Sequence, residues 1–147
     1  MTTTPAQARE LILAGTAPKN MSVGSGLDLS GCTGLTALPE GLSVDGGLYL
    51  SGCTGLAALP EGLSVGGRLD LTGCTGLVNV AWFAKPAGNT RRLGPVCRVN
   101  GDTRVSLGCW LDTPEATYAA IAKKYGPDSE YEAIVREAVE RFEGMQL

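Results

Sequence analysis

A chain of 147 residues, 44% hydrophobic and 18% charged with a net charge of −3, has material for one modest core and an overall field that repels polyanions. No apolar run approaches the ~20 residues that span a bilayer, and the start, MTTTPAQARELILAG, lacks the basic opening and continuous apolar run of a secretion signal. The expectation is a cytoplasmic protein without membrane contact whose thiols stay reduced, and five cysteines, an odd number, fit a disulfide framework poorly.

In chain order, Thr4-Pro5-Ala6-Gln7 predicts a capping box with Pro at the first helical position. Ala8, Leu11 and Ile12 form one apolar stripe, and Gly15 stops the helix, so residues 1–16 read as an N-terminal cap.

Residues 17–80 are repetitive. LDLSGCTGLTALPEGLSVDGG runs from Leu27 to Gly47, and LYLSGCTGLAALPEGLSVGGR follows from Leu48 to Arg68 with 17 of 21 positions identical. A third copy, LDLTGCTGLVNV, breaks off after Val80, and APKNMSV precedes the first in register. Of the 21 glycines, 14 lie between Gly24 and Gly76. One unit of this length cannot bury its own apolar face, so a fixed period of this kind predicts a stacked repeat architecture. The leucines of Leu-x-Leu share one face of a strand, while Pro39 and Pro60, each followed by Glu-Gly, disfavour a helix in the return. Each copy therefore predicts one short strand, a turn at Ser-Gly-Cys-Thr-Gly (Thr-Gly-Cys-Thr-Gly in the third), and an extended return.

The pattern L-x-L-x-x-C-x-x-L-x-x-L-P resembles the leucine-rich repeat family, in the short Leu-Pro form of bacterial and phage proteins. The resemblance implies an α/β solenoid with parallel strands, and it speaks to fold far more than to function. The cysteines Cys32, Cys53 and Cys74, one per copy, could be metal ligands, disulfide partners, catalytic thiols or packing. Zinc favours close pairs such as C-x₂₋₄-C, usually with His, and this chain has no histidine. In the resembled family an inward Asn or Cys at this turn bonds neighbouring backbone. That implies a structural ladder of Cys32, Cys53 and Cys74, extended by Cys109, with no metal and no cofactor.

Residues 81–111 lose the repeat. Val96–Val99 and Thr103–Leu107 flank Asn100-Gly101, a hairpin signal. Val105-Ser106-Leu107-Gly108-Cys109 is a degenerate L-x-L-x-x-C, one residue short, and predicts a fourth strand laid on the third copy. Residues 112–147 predict two helices. The first buries Tyr118, Ile121, Ala122 and Tyr125, and the second, opened by a capping box at Ser129–Glu132, carries Tyr131, Ile134, Val135, Ala138, Val139 and Phe142 on one stripe. These helices are expected to pack on the sheet or on each other; a partner-binding or dimerising role is the alternative, and oligomeric state stays open.

Residues between the inward leucines point outward, which nominates Asp28, Tyr49, Arg68, Asp70 and, from a fourth strand, Arg104 as a protein-binding face. A variable face on a constant scaffold is how the resembled family usually binds proteins. The tail GCWLDTPEATYAAIAKKYG is similar to endings of phage and bacterial repeat proteins of this type, which implies an inhibitor of a bacterial defence protein, acting in a bacterial cell or infected host. The alternative is nucleic-acid binding. Lys85, Arg91, Arg92, Arg98 and Arg104 against Asp102 give residues 85–104 a charge of +4, and Trp82, Phe83 and Trp110 could stack on bases. A third reading is a carbohydrate-active enzyme using Asp28 and Asp70, since paired carboxyls ~6.5–9.5 Å apart serve inverting glycosidases. An exposed sheet offers no pocket to raise one carboxyl's pKa, so no catalytic residue is nominated.

Overall fold

The computed structural model describes residues 3–83, 95–107 and 110–145. Helix α1 (Pro5–Ala14) opens on the reciprocal Thr4–Gln7 capping box and ends at Gly15 in the left-handed region. Six two-residue strands follow: β1 (Ser22–Val23), β2 (Leu27–Asp28), β3 (Ser43–Val44), β4 (Leu48–Tyr49), β5 (Ser64–Val65) and β6 (Leu69–Asp70). They form two parallel sheets, β1-β3-β5 and β2-β4-β6. Ser22 pairs Ser43 and Ser43 pairs Ser64, while Leu27 pairs Leu48 and Leu48 pairs Leu69, so strand register and sequence copy coincide.

Where Leu-x-Leu predicts one strand per copy, the structure holds two. The Ser-Val dipeptide of the return pairs as well, because Ser43 N–H reaches Met21 O and Ser64 N–H reaches Leu42 O at 2.9 Å each. Two residues are too few to show alternation in sequence. The bend before this second strand needs a positive φ, supplied by Gly41 (φ 72), Gly62 (φ 78) and, in the incomplete first copy, Asn20 (φ 60). Asparagine is the residue after glycine that tolerates this region best.

The inward columns close a core between the sheets. Leu27, Leu29, Leu48, Leu50, Leu69 and Leu71 are fully buried, joined by Ala8 and Ile12 of α1. Each such leucine contributes about 1.5–3 kcal/mol of apolar burial. At the front, Thr3 bridges Val23 and Arg9 Nη1–H donates to Asp28 O at 3.0 Å, so α1 covers the first copy's edge.

At the back, β7 (Val96–Val99), β8 (Asp102–Leu107) and β9 (Trp110–Asp112) form an antiparallel sheet in that order. The β7–β8 turn is Asn100-Gly101, both at positive φ (58 and 79), as a two-residue hairpin requires. This corrects the fourth parallel strand expected at Val105–Leu107. Strand β8 takes β7 on one side and β9 on the other, so it has no free edge to offer β6. It still abuts the repeats, where the Ser106 hydroxyl donates to Leu69 O at 3.3 Å. Strand β7 stands between two cores, with Cys97 and Val99 in the repeat core and Val96 in a second.

Helices α2 (Pro114–Tyr125, N-cap Thr113) and α3 (Glu130–Glu143, N-cap Ser129) cover this sheet. Ile121, Val135, Ala138, Val139 and Phe142 bury against Val96, Val105 and Ala81. Two expectations change here. Tyr125 and Tyr131 are 48% and 37% exposed, not buried. The side chain of Glu132 turns to Arg136 at 3.2 Å, while Ser129 Oγ accepts the Glu132 N–H.

Candidate binding face

The solvent side of β2-β4-β6 carries Asp28, Tyr49 and Asp70 in register across the three strands. Their positions follow from strand alternation: Leu27 and Leu29 point inward at zero exposure, which leaves Asp28 outward. Both carboxylates cap their own strand end. Asp28 Oδ1 accepts the Ser30 N–H at 2.9 Å and Asp70 Oδ1 accepts the Thr72 N–H at 3.0 Å. Hydrogen bonding from Ser30, with weaker attraction from Arg9, holds the Asp28 carboxyl below its ordinary value. A general acid needs the opposite shift. Two strand spacings also separate Asp28 from Asp70 by about 10 Å, wider than the glycosidase range. As placed, the pair is suited to turn formation and electrostatic contact.

Tyr49 lies back over the glycines beside it. A Cβ built on Gly47 would fall 2.6 Å from the Tyr49 hydroxyl, and one on Gly26 would touch the ring at 4.0 Å. The tyrosine therefore presents a flat, partly buried side to solvent. One strand further on, Arg68, the last residue of the second copy, and Asp70 of the third stand in place of Gly47 and Tyr49, and Arg68 is exposed.

Arg68 is also one wall of a shallow groove of about 430 Å³, lined by Gly67, Arg68, Trp110, Leu111 and Asp112. Here the repeat face meets β9. Trp110 is 40% exposed. Its indole N–H donates to Thr117 Oγ1 at 3.1 Å, and the Thr117 hydroxyl donates to Thr113 O at 2.8 Å, so a buried side chain fixes the ring. On its other side Trp110 borders a second, strongly apolar groove of about 320 Å³ between α2 and α3, where Tyr125 and Tyr131 stack at 4.4 Å. In the sequence Trp110 reads only as a base-stacking residue, and neither tyrosine reads as surface. The missed signal is the Gly-Pro-Asp-Ser turn between them: residues flanking an open helical hairpin end have little to pack beneath.

Arg104 lies on β8, not on an extended repeat face. It sits 3.8 Å from Asp102 with its side chain 20% exposed, which corrects its assignment to the outward row. Arg98 is exposed on β7. Trp82 packs against the repeat core and Phe83 against the second core, so both aromatics serve as filling. Lys85, Arg91, Arg92 and Cys109 lie outside the described residues.

Cys53 Sγ–H donates to Leu29 O at 3.1 Å and Cys74 Sγ–H to Leu50 O at 3.0 Å, each reaching back one copy. Cys32, with no complete copy before it, is half-buried. Burial pushes the Cys53 thiol up, and raises Cys74 and Cys97 to about 12. Thiols so raised are poor nucleophiles and poor metal ligands. Among the described residues there is no group of three or more His, Cys, Asp or Glu able to hold a metal ion, and no helix long and apolar enough to cross a membrane. The chain matches no protein-family model, no curated protein and no solved structure.

Proposed function

We propose that this chain is a small leucine-rich-repeat solenoid that binds another protein and performs no catalysis. The observation that carries the reading is the junction of Arg68 with Trp110 in one groove, continuous with the outward row Asp28–Tyr49–Asp70. Tyrosine, tryptophan and arginine dominate binding energy at protein interfaces. Here one of each lies on this face, Arg68 with an exposed side chain and the two aromatics held in place, Tyr49 by its glycines and Trp110 by Thr117. Pre-ordered side chains of this kind lose little entropy on binding. Two of the four differences between the first two copies fall on or beside this row, where Asp28 and Gly47 of the first become Tyr49 and Arg68 of the second while the inward leucines stay fixed. The test is capture of a partner by the wild-type chain and by Tyr49→Ala/Arg68→Glu, with loss of capture expected in the variant and unchanged folding by circular dichroism.

A further inference from the structure

We propose that the groove between α2 and α3 is a self-association surface, occupied by the same groove of a second copy of this chain. Its floor is aliphatic, including Ile121, Ile134 and Val135, and its rim is the exposed aromatic trio Trp110, Tyr125 and Tyr131. Scattered surface apolar residues need no explanation, whereas an apolar groove rimmed by three exposed aromatics is a surface that a partner can cover.

The charges on the two walls select the occupant. The last turn of α2 is basic, with Lys123 and Lys124, and the first turn of α3 is acidic, with Glu130. Each sign suits its own helix dipole. Tyr125 and Tyr131 stack at 4.4 Å, so the two helix ends meet at the same height beside the connecting turn: Lys124 lines the α2 wall, while exposed Glu130 adjoins Tyr131 and stands one turn before Ile134 on the α3 side. A uniformly acidic partner would meet Glu130, and a uniformly basic one would meet Lys124. A second copy related by a two-fold axis along the groove meets neither conflict. Its α2 lies over the first copy's α3, so Lys124 faces Glu130 twice by symmetry, as a two-fold interface requires. Among the described residues neither Lys124 nor Glu130 has an ion-pair partner within the chain. Ala120, exposed on the α2 wall, adds no bulk to hinder close approach.

Sedimentation velocity and light scattering of the full chain at low salt, over a concentration series, test this. Wild type is expected to reach twice the 15.2 kDa chain mass. Lys124→Glu and Glu130→Lys, each at an exposed position, should each sediment at the single-chain mass with unchanged far-ultraviolet circular dichroism. An equimolar mixture of the two variants should return to the doubled mass, because every facing pair is then opposite in sign. A wild type that stays at 15.2 kDa at every concentration overturns the proposal, as does a dimer that survives both single changes or a mixture that fails to associate.

Discussion

The side-chain amide of Asn100 bonds both backbone groups of Val65, accepting its N–H at 2.8 Å and donating to its C=O at 3.1 Å. The Asn100 backbone N–H adds a bond to Leu63 O at 2.9 Å. Between copies, Ser64 N–H takes Leu42 O and Gly66 N–H takes Val44 O. Asn100 thus fills, with one residue, the place a further copy would take on the β5 edge. Asn79 acts similarly one segment earlier. It stands where the previous copies have Ala37 and Ala58, and its amide bonds Leu59 N–H at 3.0 Å and Leu59 O at 2.9 Å. An uncovered strand edge is a template for aggregation.

Asn100→Gly keeps the positive φ that the hairpin turn needs and removes only the amide. Leaving the buried backbone of Val65 unpartnered should cost about 1–3 kcal/mol. Urea denaturation should show that loss, together with concentration-dependent aggregation. Unchanged stability would mean that water replaces the amide.

The buried thiols set an alkaline limit. Cys74 and Cys97 hold their protons up to about 12 in the fold, against 9.0 for a free thiol. Above the unfolded value the unfolded chain loses these protons while the folded chain keeps them. The stability they contribute is therefore complete below pH 9.0 and is lost progressively as pH rises toward about 12. Stability measured against pH should fall across that window, and less steeply in Cys97→Ala even though that variant starts less stable. At neutral pH a thiol reagent should modify half-buried Cys32 in the folded chain and reach Cys53, Cys74 and Cys97 only on unfolding.

Gly47→Ala should push the Tyr49 ring from its seat, since the added methyl would fall 2.6 Å from the hydroxyl. The expected cost is about 1–2 kcal/mol, as for other overpacked sites. In a Tyr49→Ala background the same change should cost much less, a coupling that a double-mutant cycle in urea would register. Simple additivity would mean that the ring does not rest on Gly47.

Much of this molecule was legible in the sequence because its signals are local or periodic. Leu27/Leu48/Leu69 and Leu29/Leu50/Leu71 share a column by arithmetic, Asn100-Gly101 demands a hairpin turn, and Thr4 with Gln7 demands a helix start. The second sheet was not legible, since Ser-Val is too short to alternate. The fate of Val105–Leu107 was not either: its Val-x-Leu followed by Gly-Cys imitates a repeat one residue short, but nearby antiparallel partners took both its edges. At the candidate face, Asp28, Tyr49, Arg68 and Asp70 followed from strand alternation. Trp110 and its neighbours did not, because what exposes them is the meeting of β9 with the repeats, a contact between segments with no shared pattern.

The outward row and the Arg68–Trp110 groove are proposed to bind a protein. The most direct measurement is affinity capture from lysate of the cells that express this chain, followed by titration of the captured protein against wild type and Tyr49→Ala/Arg68→Glu. One protein is expected, held in high salt, whose affinity falls by at least ~2 kcal/mol, about thirtyfold, in the variant. Undiminished affinity in the variant would contradict it, and so would capture of nucleic acid alone, released steeply by salt.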